Sequence, residues 1–320
     1  MSVVSVLMTT LNSEKFLAEA INSILNQSFQ DFELLIVDGG SNDKSIEIIK
    51  SFKDDRIRLF EYQGFRRSAQ LNFGIKKSRG QYIAIMDSDD VALSDRLKLQ
   101  IEYLEENKNI SILGSWAYLI SESGIVLSVL RRPKSNKAIK KNIVAMNGIS
   151  FPTCMWRRVN ETNQIYFNEN LKVTEDIEWF LRVLPNSYFS NIPVPLMKLR
   201  QTRNSRSRSG IIIDNDLINS LENILNERIG TTKQRYKKSI QMRNLGVAHY
   251  YFGNMKKAKK VLIKSMFINP FSLLSLRYYV PLMLPEKLLL CLRRNKFLRK
   301  AALSFRNLIT WQNIISSKKL

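Results

Sequence analysis

The acidic tetrapeptide Asp87-Ser88-Asp89-Asp90 directly follows a short apolar run at residues 82–86 that is typical of a buried strand. Three carboxylates within four residues repel one another, so a fold that gathers them at a strand end usually provides a cation for them to share. Bare oxygen ligands in a nucleotide site suit Mg²⁺ or Mn²⁺. The tetrapeptide therefore predicts a Mg²⁺ or Mn²⁺ site, although a solvated turn that caps the next helix explains these four residues equally well.

Two further acidic positions extend this chemistry. Asp38 follows the apolar run at residues 32–37, and the pair Glu175-Asp176 opens a predicted helix at residues 177–184. A nucleotide sugar presents a nucleoside, a diphosphate and an electrophilic anomeric carbon. Asp38 can contact the nucleoside, the tetrapeptide can hold a metal ion on the diphosphate, and Glu175-Asp176 can supply a general base. On its own, the Glu175-Asp176 pair is also explained as charges favoured by a helix amino terminus.

The elements that must position these residues alternate along the first third of the chain. Near-continuous apolar runs predict buried strands at residues 3–8, 32–37, 57–60 and 82–86. Amphipathic segments predict helices around residues 17–25, 45–52, 69–77 and 94–107. This series predicts an α/β fold, a mostly parallel twisted sheet flanked by helices. Ligands bind such sheets beyond the carboxyl ends of the strands, where Asp38 and the tetrapeptide both lie.

The pattern of the remaining chain predicts a part that binds the sugar acceptor, followed by a basic helical region. A hairpin at residues 110–120 and 124–130, a helix at 136–142 and an extended stretch at 191–200 precede an Arg/Ser-rich segment. We expect residues 1–210 to form a catalytic domain, with its nucleotide-sugar part at about 1–110 and its acceptor part at about 111–210. Residues 211–320 are predicted to be helical. The spacing of Leu245, Gly246, Gly253, Ala258, Leu262, Ser265 and Pro270 predicts one tetratricopeptide-like helical hairpin there.

Charge is distributed unevenly along the 320 residues. Lys+Arg against Asp+Glu is 14 against 17 in residues 1–110, 15 against 6 in 111–210 and 21 against 5 in 211–320, or −3, +9 and +16. A basic surface attracts nucleic acid, anionic lipid or acidic polymers. No motif interleaves aromatic and basic residues as nucleic-acid modules do, so nucleic acid is not the expected partner. Peripheral contact of the basic region with an anionic membrane and ordinary solvated helix faces both stay open.

Cysteine and histidine usage excludes two classes of site. Cys154, Cys291 and the single His249 cannot complete the usual four-ligand zinc site, and no nucleophile elbow accompanies His249. The two distant cysteines fit a reducing compartment. The chain shows neither a signal-peptide pattern nor a run of about 20 apolar residues. We therefore expect a cytoplasmic protein, at most peripheral on the cytoplasmic face of a membrane.

Five segments, in their order and spacing, resemble the family-2 inverting glycosyltransferases, whose catalytic domain has the GT-A fold. These segments are VSVLMTTLN at 4–12, QSFQDFELLIVDGGSND at 27–43, LNFGI at 71–75, GQYIAIMDSDD at 80–90 and TEDIEWFLR at 174–182. The resemblance runs from residue 3 to about residue 209. It implies a GT-A domain and a metal-dependent, inverting hexosyltransferase that takes a nucleoside-diphosphate sugar, with a UDP-sugar favoured.

The resemblance also implies residue roles on the donor side. Thr9 and Asp38 would contact the nucleoside, and Leu11 would lie beside the base. Asp87 would hold the ribose or a metal-bound water. Arg200 would lie close to the diphosphate and help to neutralise the leaving group.

On the acceptor side the resemblance implies Asp176 as the general base, Glu175 near the acceptor and Asp89 as a Mg²⁺ or Mn²⁺ ligand. Asp176 would take the proton from an acceptor hydroxyl, which attacks the anomeric carbon with inversion. The implied acceptor is a glycan or a lipid-linked glycan, and the implied process is cell-surface polysaccharide synthesis.

Two rival functions remain. A sugar-1-phosphate nucleotidyltransferase has a similar sheet but would carry a Gly-rich loop near the amino terminus, where residues 8–12 read MTTLN. A protein that binds nucleic acid or another anionic surface through its basic carboxyl-terminal region is the non-enzymatic alternative.

Overall fold

The computed structural model divides the chain into two compact units, Met1–Asn226 and Glu227–Leu320. It describes residues 2–62, 66–143, 148–158, 166–171, 175–184 and 186–202, and in the second unit residues 239, 242–243, 245–247, 249, 255–270, 275, 279 and 283. Most of the predicted Arg/Ser-rich segment at 200–210 lies outside these residues. The domain boundaries given above therefore stay predictions.

A nine-stranded mixed sheet organises the described part of the first unit. Its strands are β1 (Val4–Thr10), β2 (Phe32–Asp38), β3 (Ile57–Glu61), β4 (Tyr82–Asp87), β5 (Val91–Ala92), β6 (Ile112–Ser121), β7 (Val126–Leu130), β8 (Met155–Arg157) and β9 (Phe189–Gln201). The order across the sheet is β3-β2-β1-β4-β8-β6-β9-β5, and β7 pairs with β6 beside this path. The predicted α/β fold, mostly parallel in its first half, is confirmed.

Strand β1 lies in the centre of the parallel half, between β2 and β4. All seven residues of β1 and of β2 are buried. Strands covered on both faces require such continuous apolar runs, which is why VSVLMTT and FELLIVD read as strands without alternation. The parallel register brings the carboxyl ends of the three strands to one edge of the sheet.

Helices cover this half of the sheet and follow the strands in alternation. They are α1 (Glu14–Leu25), α2 (Ser45–Ser51), α3 (Arg67–Lys77) and α4 (Arg96–Glu106), and later in the chain α5 (Asn136–Asn142) and α6 (Glu175–Val183). Helix α1 shows the underlying pattern, since Leu17, Ala20, Ile21 and Ile24 recur every three or four residues and are all buried. This apolar face joins the main core with Val6, Met8 and Ile36 of the sheet.

The second half of the sheet changes direction. Strand β8 runs antiparallel to β4 and β6, whereas β6 and β9 pair in parallel over ten positions, from Ile112–Phe189 to Ser121–Gln201. The predicted hairpin is present as β6 and β7, with a bulge between Leu119 and Ile120. This half delivers the end of β9 to the same edge as the acidic turn.

In the second unit the described residues include helix α7 (Met255–Ile268). A Cβ on Gly246 would lie 2.7 Å from Leu262 Cγ, and Ser239 Oγ bonds the Ser265 carbonyl at 3.1 Å. Gly246, Leu262 and Ser265 belong to the predicted tetratricopeptide-like hairpin, whereas Ser239 precedes it. Gly253 of that hairpin lies outside the described residues, so the hairpin stays a prediction. Within the part of the chain that the structure describes, every helix is too short or too polar to cross a membrane.

Candidate active site

Three parallel strand ends form the floor of the site. Thr10 of β1 is paired with Asp38 of β2, and Thr9 is paired with Asp87 of β4. Thr9 is buried at this point, and Asp87 is half-buried. The sheet register therefore places the predicted nucleoside contacts and the start of the predicted metal site on adjacent strands.

The loop after β2 is folded around the Asp38 carboxylate. Its Oδ1 accepts hydrogen bonds from the Gly40 and Ser41 amides at 2.9 and 2.8 Å, and its Oδ2 accepts one from Ser41 Oγ at 2.5 Å. Gly40 has a φ of 95°, a left-handed conformation that favours glycine. Asp38 is fully buried, so it fixes the shape of this loop. Its contact with a nucleoside stays a prediction.

The loop after β1 is tied to both of its neighbours. The Asn12 amide donates to Ser41 Oγ at 2.8 Å, and Asn12 Oδ1 accepts from the Asn42 amide at 2.8 Å. Ser13 Oγ and Ser88 Oγ lie 2.8 Å apart, which joins this loop to the acidic turn. Leu11, which directly precedes Asn12 and Ser13, is half-buried, and its carbonyl accepts a hydrogen bond from Ser13 Oγ at 3.4 Å. The three loops that follow β1, β2 and β4 thus form one hydrogen-bonded rim.

The acidic turn gathers three carboxylates. Ligand oxygens of Asp87, Asp89 and Asp90 lie within 4.8 Å of one another. Burial, and then the neighbouring Asp87 charge, raise the pKa of Asp89 to about 6. The same two causes raise the pKa of Asp90 well above its usual value, although its Oδ1 accepts the Arg200 amide at 2.8 Å. A set of crowded carboxylate oxygens with raised pKa values fits a hard divalent cation, because the ion would relieve their repulsion.

A buried arginine supports this turn from within the core. Arg96 is fully buried, and burial lowers the pKa of its guanidinium to about 10. It donates to the Ile85 carbonyl at 2.7 Å and to the Pro152 carbonyl at 3.2 Å. Its Nε also donates to Gln100 Oε1 of α4 at 3.1 Å. Arg96 thus joins α4 to β4 and to the segment before β8, and it braces the strand that carries the acidic turn.

Arg67, at the start of α3, connects the two acidic regions and was missed by the sequence analysis. One nitrogen, Nη2, forms an ion pair with Asp87, and the other, Nη1, bonds Glu175 Oε1 at 3.0 Å. The guanidinium lies 5.1 Å above the centre of the Phe151 ring. Attraction to both carboxylates raises the pKa of Arg67. Asp87 and Glu175 are 88 residues apart in the sequence, so only the folded chain reveals this bridge.

Helix α6 presents the second acidic pair to the same space. Glu175 is buried against Arg67, and Asp176 is half-buried. Burial and the Glu175 charge raise the pKa of Asp176 to about 6, whereas the Arg67 charge opposes this shift. Among the described residues, Asp176 Oδ1 accepts a hydrogen bond from its own helix, at the Ile177 amide, at 2.9 Å. A carboxylate with a pKa near neutrality and a largely uncommitted side chain is suited to general-base catalysis.

An aromatic cluster fixes the position of α6. Trp179 stacks on Phe167 with ring centroids 5.2 Å apart, and it lies 5.2 Å from Trp156 of β8. Phe151, which supports Arg67, lies 6.1 Å from the same indole. The apolar face of α6 and the bridging arginine therefore share one packed layer.

Arg200 lies on the other side of the acidic turn. Nε donates to the Asp89 carbonyl at 2.9 Å, Nη1 to the Glu122 carbonyl at 2.8 Å, and Nη2 pairs with Glu19 at 2.5 Å. Its side chain is almost fully buried and lies 4.4 Å from the Phe16 ring centre. The guanidinium donors of Arg200 are thus engaged with other groups of the protein, and Arg200 was predicted to contact a diphosphate. That contact stays an untested prediction.

Comparison with known proteins gives one family. The profile of glycosyl transferase family 2 matches residues 5–162. An uncharacterized glycosyltransferase of Methanocaldococcus jannaschii is 38% identical over 204 residues, which is 62% of this chain and 70% of that protein. The O-antigen biosynthesis glycosyltransferase WbnJ of Escherichia coli is 30% identical over 236 residues, which is 71% of this chain and 91% of that protein.

Solved structures agree on the fold. TarS residues 1–349 of S. aureus, in complex with UDP-GlcNAc, superposes with a TM-score of 0.63 at 19% identity over 88% of this chain and 79% of that one. The mannosyltransferase PcManGT of Pyrobaculum calidifontis, in complex with GDP-Man and Mn²⁺, superposes with a TM-score of 0.57 at 15% identity over 94% of this chain and 83% of that one.

Proposed function

Because this chain belongs to glycosyl transferase family 2 and so transfers a sugar from a nucleotide-sugar donor, we propose that it acts by inversion on a hydroxyl of a glycan or lipid-linked acceptor. One observation carries the proposal. Asp87 of the acidic turn and Glu175 beside Asp176 converge on Arg67. A metal-binding carboxylate cluster and a candidate base thus border one space, as a single displacement at an anomeric carbon requires.

Asp176 is the general base of the proposed reaction. The acceptor hydroxyl loses its proton to Asp176, and its oxygen attacks the anomeric carbon from the face opposite the nucleoside diphosphate. The raised pKa of Asp176, about 6, leaves it largely ionised at neutral pH while keeping it a useful base. Glu175, held by Arg67, borders the acceptor side next to the base.

Asp89 and Asp87 would hold Mg²⁺ or Mn²⁺, and Asp90 lies within reach of the same position. When bound, the ion supplies Lewis-acid stabilisation of the departing diphosphate. The protein's own contribution is to hold these carboxylates in place through Arg96, Arg200 and the Ser13–Ser88 contact. The PcManGT complex with GDP-Man and Mn²⁺ supports the choice of ion.

The loops after β1 and β2 would receive the nucleoside. Thr9, Leu11 and Asp38 border this part of the rim, and the Asp38-centred turn is already ordered by its own hydrogen bonds. A UDP-sugar is the favoured donor, which the TarS complex with UDP-GlcNAc supports at the level of the fold. The similarity to WbnJ supports a place in cell-surface polysaccharide synthesis.

A donor screen tests the proposal. Purified protein is incubated with individual nucleotide sugars, with and without Mn²⁺, and released nucleoside diphosphate is measured. We expect Mn²⁺-dependent release from one donor class. Release from no donor, or formation of a nucleotide sugar from a nucleoside triphosphate and a sugar 1-phosphate, would overturn it.

The base assignment has its own test. Asp176→Asn removes the proton acceptor and keeps the shape, so transfer should fall roughly 10²–10⁴-fold while donor affinity stays within about twofold. Asp95→Asn, the same change at an exposed residue beside α4, is the matched control and should keep wild-type turnover. Transfer by the Asp176 variant at the wild-type rate would refute the assignment.

A further inference from the structure

Strand β7 and the residue before it carry an exposed apolar strip, defined as Ile125, Val126, Leu127 and Val129. The exposed fractions of these residues are 66%, 51%, 55% and 37%. Ser128 is exposed as well, so five consecutive positions of the hairpin face solvent. A contiguous set of large apolar side chains on the surface usually marks a contact with another molecule or a membrane.

The strip lies on a strand with a free edge. Among the residues that the structure describes, β7 pairs only with β6, and the bulge between Leu119 and Ile120 displaces its register. The four apolar residues of the strip all lie within the hairpin, and no described element covers them. The hairpin is therefore an apolar projection that the described residues leave exposed.

A basic flank follows the strip directly. Residues 125–141 contain six Lys and Arg and no Asp or Glu. Arg131, Lys134 and Lys137 are exposed. The Arg131 guanidinium lies 5.6 Å from the Trp116 ring centre, so a cation and an amphipathic indole stand together beside the strip. Apolar side chains next to cations and an indole match the boundary between headgroups and acyl chains of an anionic bilayer.

We propose that the strip and its basic flank dock this protein onto the surface of an anionic lipid bilayer. A nucleic acid would use the cations but leave the apolar strip exposed to water. A second copy of the chain, paired edge to edge through β7, would bring the two basic flanks together and be opposed by their repulsion. A bilayer with anionic headgroups accommodates both features at once.

The hairpin is mechanically connected to the candidate active site. Arg200 Nη1 bonds the Ser121 carbonyl at 3.4 Å and the Glu122 carbonyl at 2.8 Å, while its Nε bonds the Asp89 carbonyl. The Ser121 amide in turn bonds the Ile125 carbonyl at 2.8 Å, at the start of the strip. Docking of the strip would therefore hold the acidic turn at a set height above the lipid. This places the cleft where an acceptor anchored in the same bilayer can reach it, which goes beyond the proposed function.

Vesicle flotation of the full chain tests this docking surface. The probes are phosphatidylcholine vesicles with and without phosphatidylglycerol, and the variants are Ile125→Ser/Leu127→Ser and Arg131→Glu/Lys134→Glu/Lys137→Glu. We expect wild-type protein to float with the anionic vesicles only, and each variant to lose about tenfold or more in partition coefficient. Phe267→Ser, at the 77% exposed apolar residue of α7, is the matched control and should float as the wild type does.

Each outcome decides the matter. Wild-type protein that floats with neither vesicle, or hairpin variants that float as well as the wild type, overturns the proposal, and the latter would assign binding to the basic carboxyl-terminal region. A change from dimer to monomer in the Ile125/Leu127 variant, measured by light scattering, would overturn it in favour of a second copy. Melting temperature and donor hydrolysis without vesicles, expected to stay at wild-type values, separate loss of docking from loss of folding or of the proposed activity.

Discussion

Two arginines flank the acidic turn, and their surroundings differ in kind. Arg67 pairs with the side chains of Asp87 and Glu175 and keeps 18% of its side chain exposed. Arg200 keeps only 2% exposed, and most donors of its guanidinium bond backbone carbonyls, with Glu19 as the one carboxylate partner of this guanidinium among the described residues. Arg67 thus borders the cleft on one side of the turn, whereas Arg200 holds backbone segments together on the other side.

The two arginines therefore act on the candidate site in different ways, Arg67 through its charge and Arg200 through the positions that it fixes. Arg67 changes the electrostatic environment of the carboxylates that we place in the reaction, since its charge lowers the pKa that burial raises at Asp176. Arg200 instead fixes main-chain positions that the metal-binding residues depend on. A buried arginine next to a carboxylate cluster is therefore not by itself a substrate contact; its hydrogen-bond partners decide its role.

Of the two arginines, Arg67 should show the larger effect on turnover, in the variant Arg67→Gln. Removal of the charge leaves Asp87 and Glu175 without their cation and lets the pKa of Asp176 rise, so we expect turnover at neutral pH to fall about 10–100-fold. The acid limb of the kcat/KM profile should move to higher pH. Arg67→Lys keeps the charge but loses the two-pronged geometry, so its turnover should fall while its acid limb stays close to that of the wild type. An acid limb that does not move in Arg67→Gln would show that Arg67 does not act on the Asp176 pKa, and it would contradict the distinction between the two arginines.

A second expectation concerns the wild-type pH profile. Asp176 acts as a base only when ionised, and its pKa is raised to about 6 by burial and by Glu175. Activity should therefore be full well above pH 6 and decline below it, approaching a tenfold loss per pH unit. The assay is run at saturating Mn²⁺, because protons also compete for Asp89. A limb that lies near pH 4 would show that the base is a solvent-exposed carboxylate and not Asp176.

The smallest effect on catalysis should come from Arg200→Lys. The donors of a lysine all sit on one nitrogen, which cannot reach the separate acceptors that surround the planar guanidinium. The free energy of unfolding should therefore fall by about 2–4 kcal/mol, and the Mn²⁺ concentration for half activity should rise severalfold. Donor KM at saturating Mn²⁺ should stay within about twofold. Glu19→Gln, which changes only the more exposed partner, is the control and should cost less than about 1 kcal/mol. A large rise in donor KM with unchanged stability would instead favour the predicted diphosphate contact of Arg200.

The sequence predicted the donor half of the site because its signals are local. Apolar runs end at Asp38 and Asp87, and parallel pairing brings such ends together without further information. Glu175 and Asp176 were predicted from a helix start, which the structure places at Glu175. Their convergence with the acidic turn required the family resemblance, since nothing local links residues 87 and 175.

Arg67 was missed for physical reasons. Helix α3 was predicted to begin near residue 69, whereas it begins at Arg67 after Arg66, a residue without a side-chain cap. A helix start without Ser, Thr, Asp or Asn gives no signal. Strand β8, only three residues long, was also overlooked because Met155–Arg157 is too short to show alternation. Partners of charged side chains depend on tertiary distances that periodicity does not encode.

The aromatic layer beneath α6 has a consequence for how the base is kept in register. Trp179 lies three residues after Asp176, on the same side of the helix, and is wedged between Phe167 and Trp156. Turning α6 about its axis by a single position would swing the carboxylate out of the cleft, and it would also require these rings to slide past one another. Packing of these apolar rings therefore sets the rotation of α6 and the direction of the Asp176 carboxylate, the proposed proton acceptor. We expect a substitution within the rings to lower activity without changing a charged group.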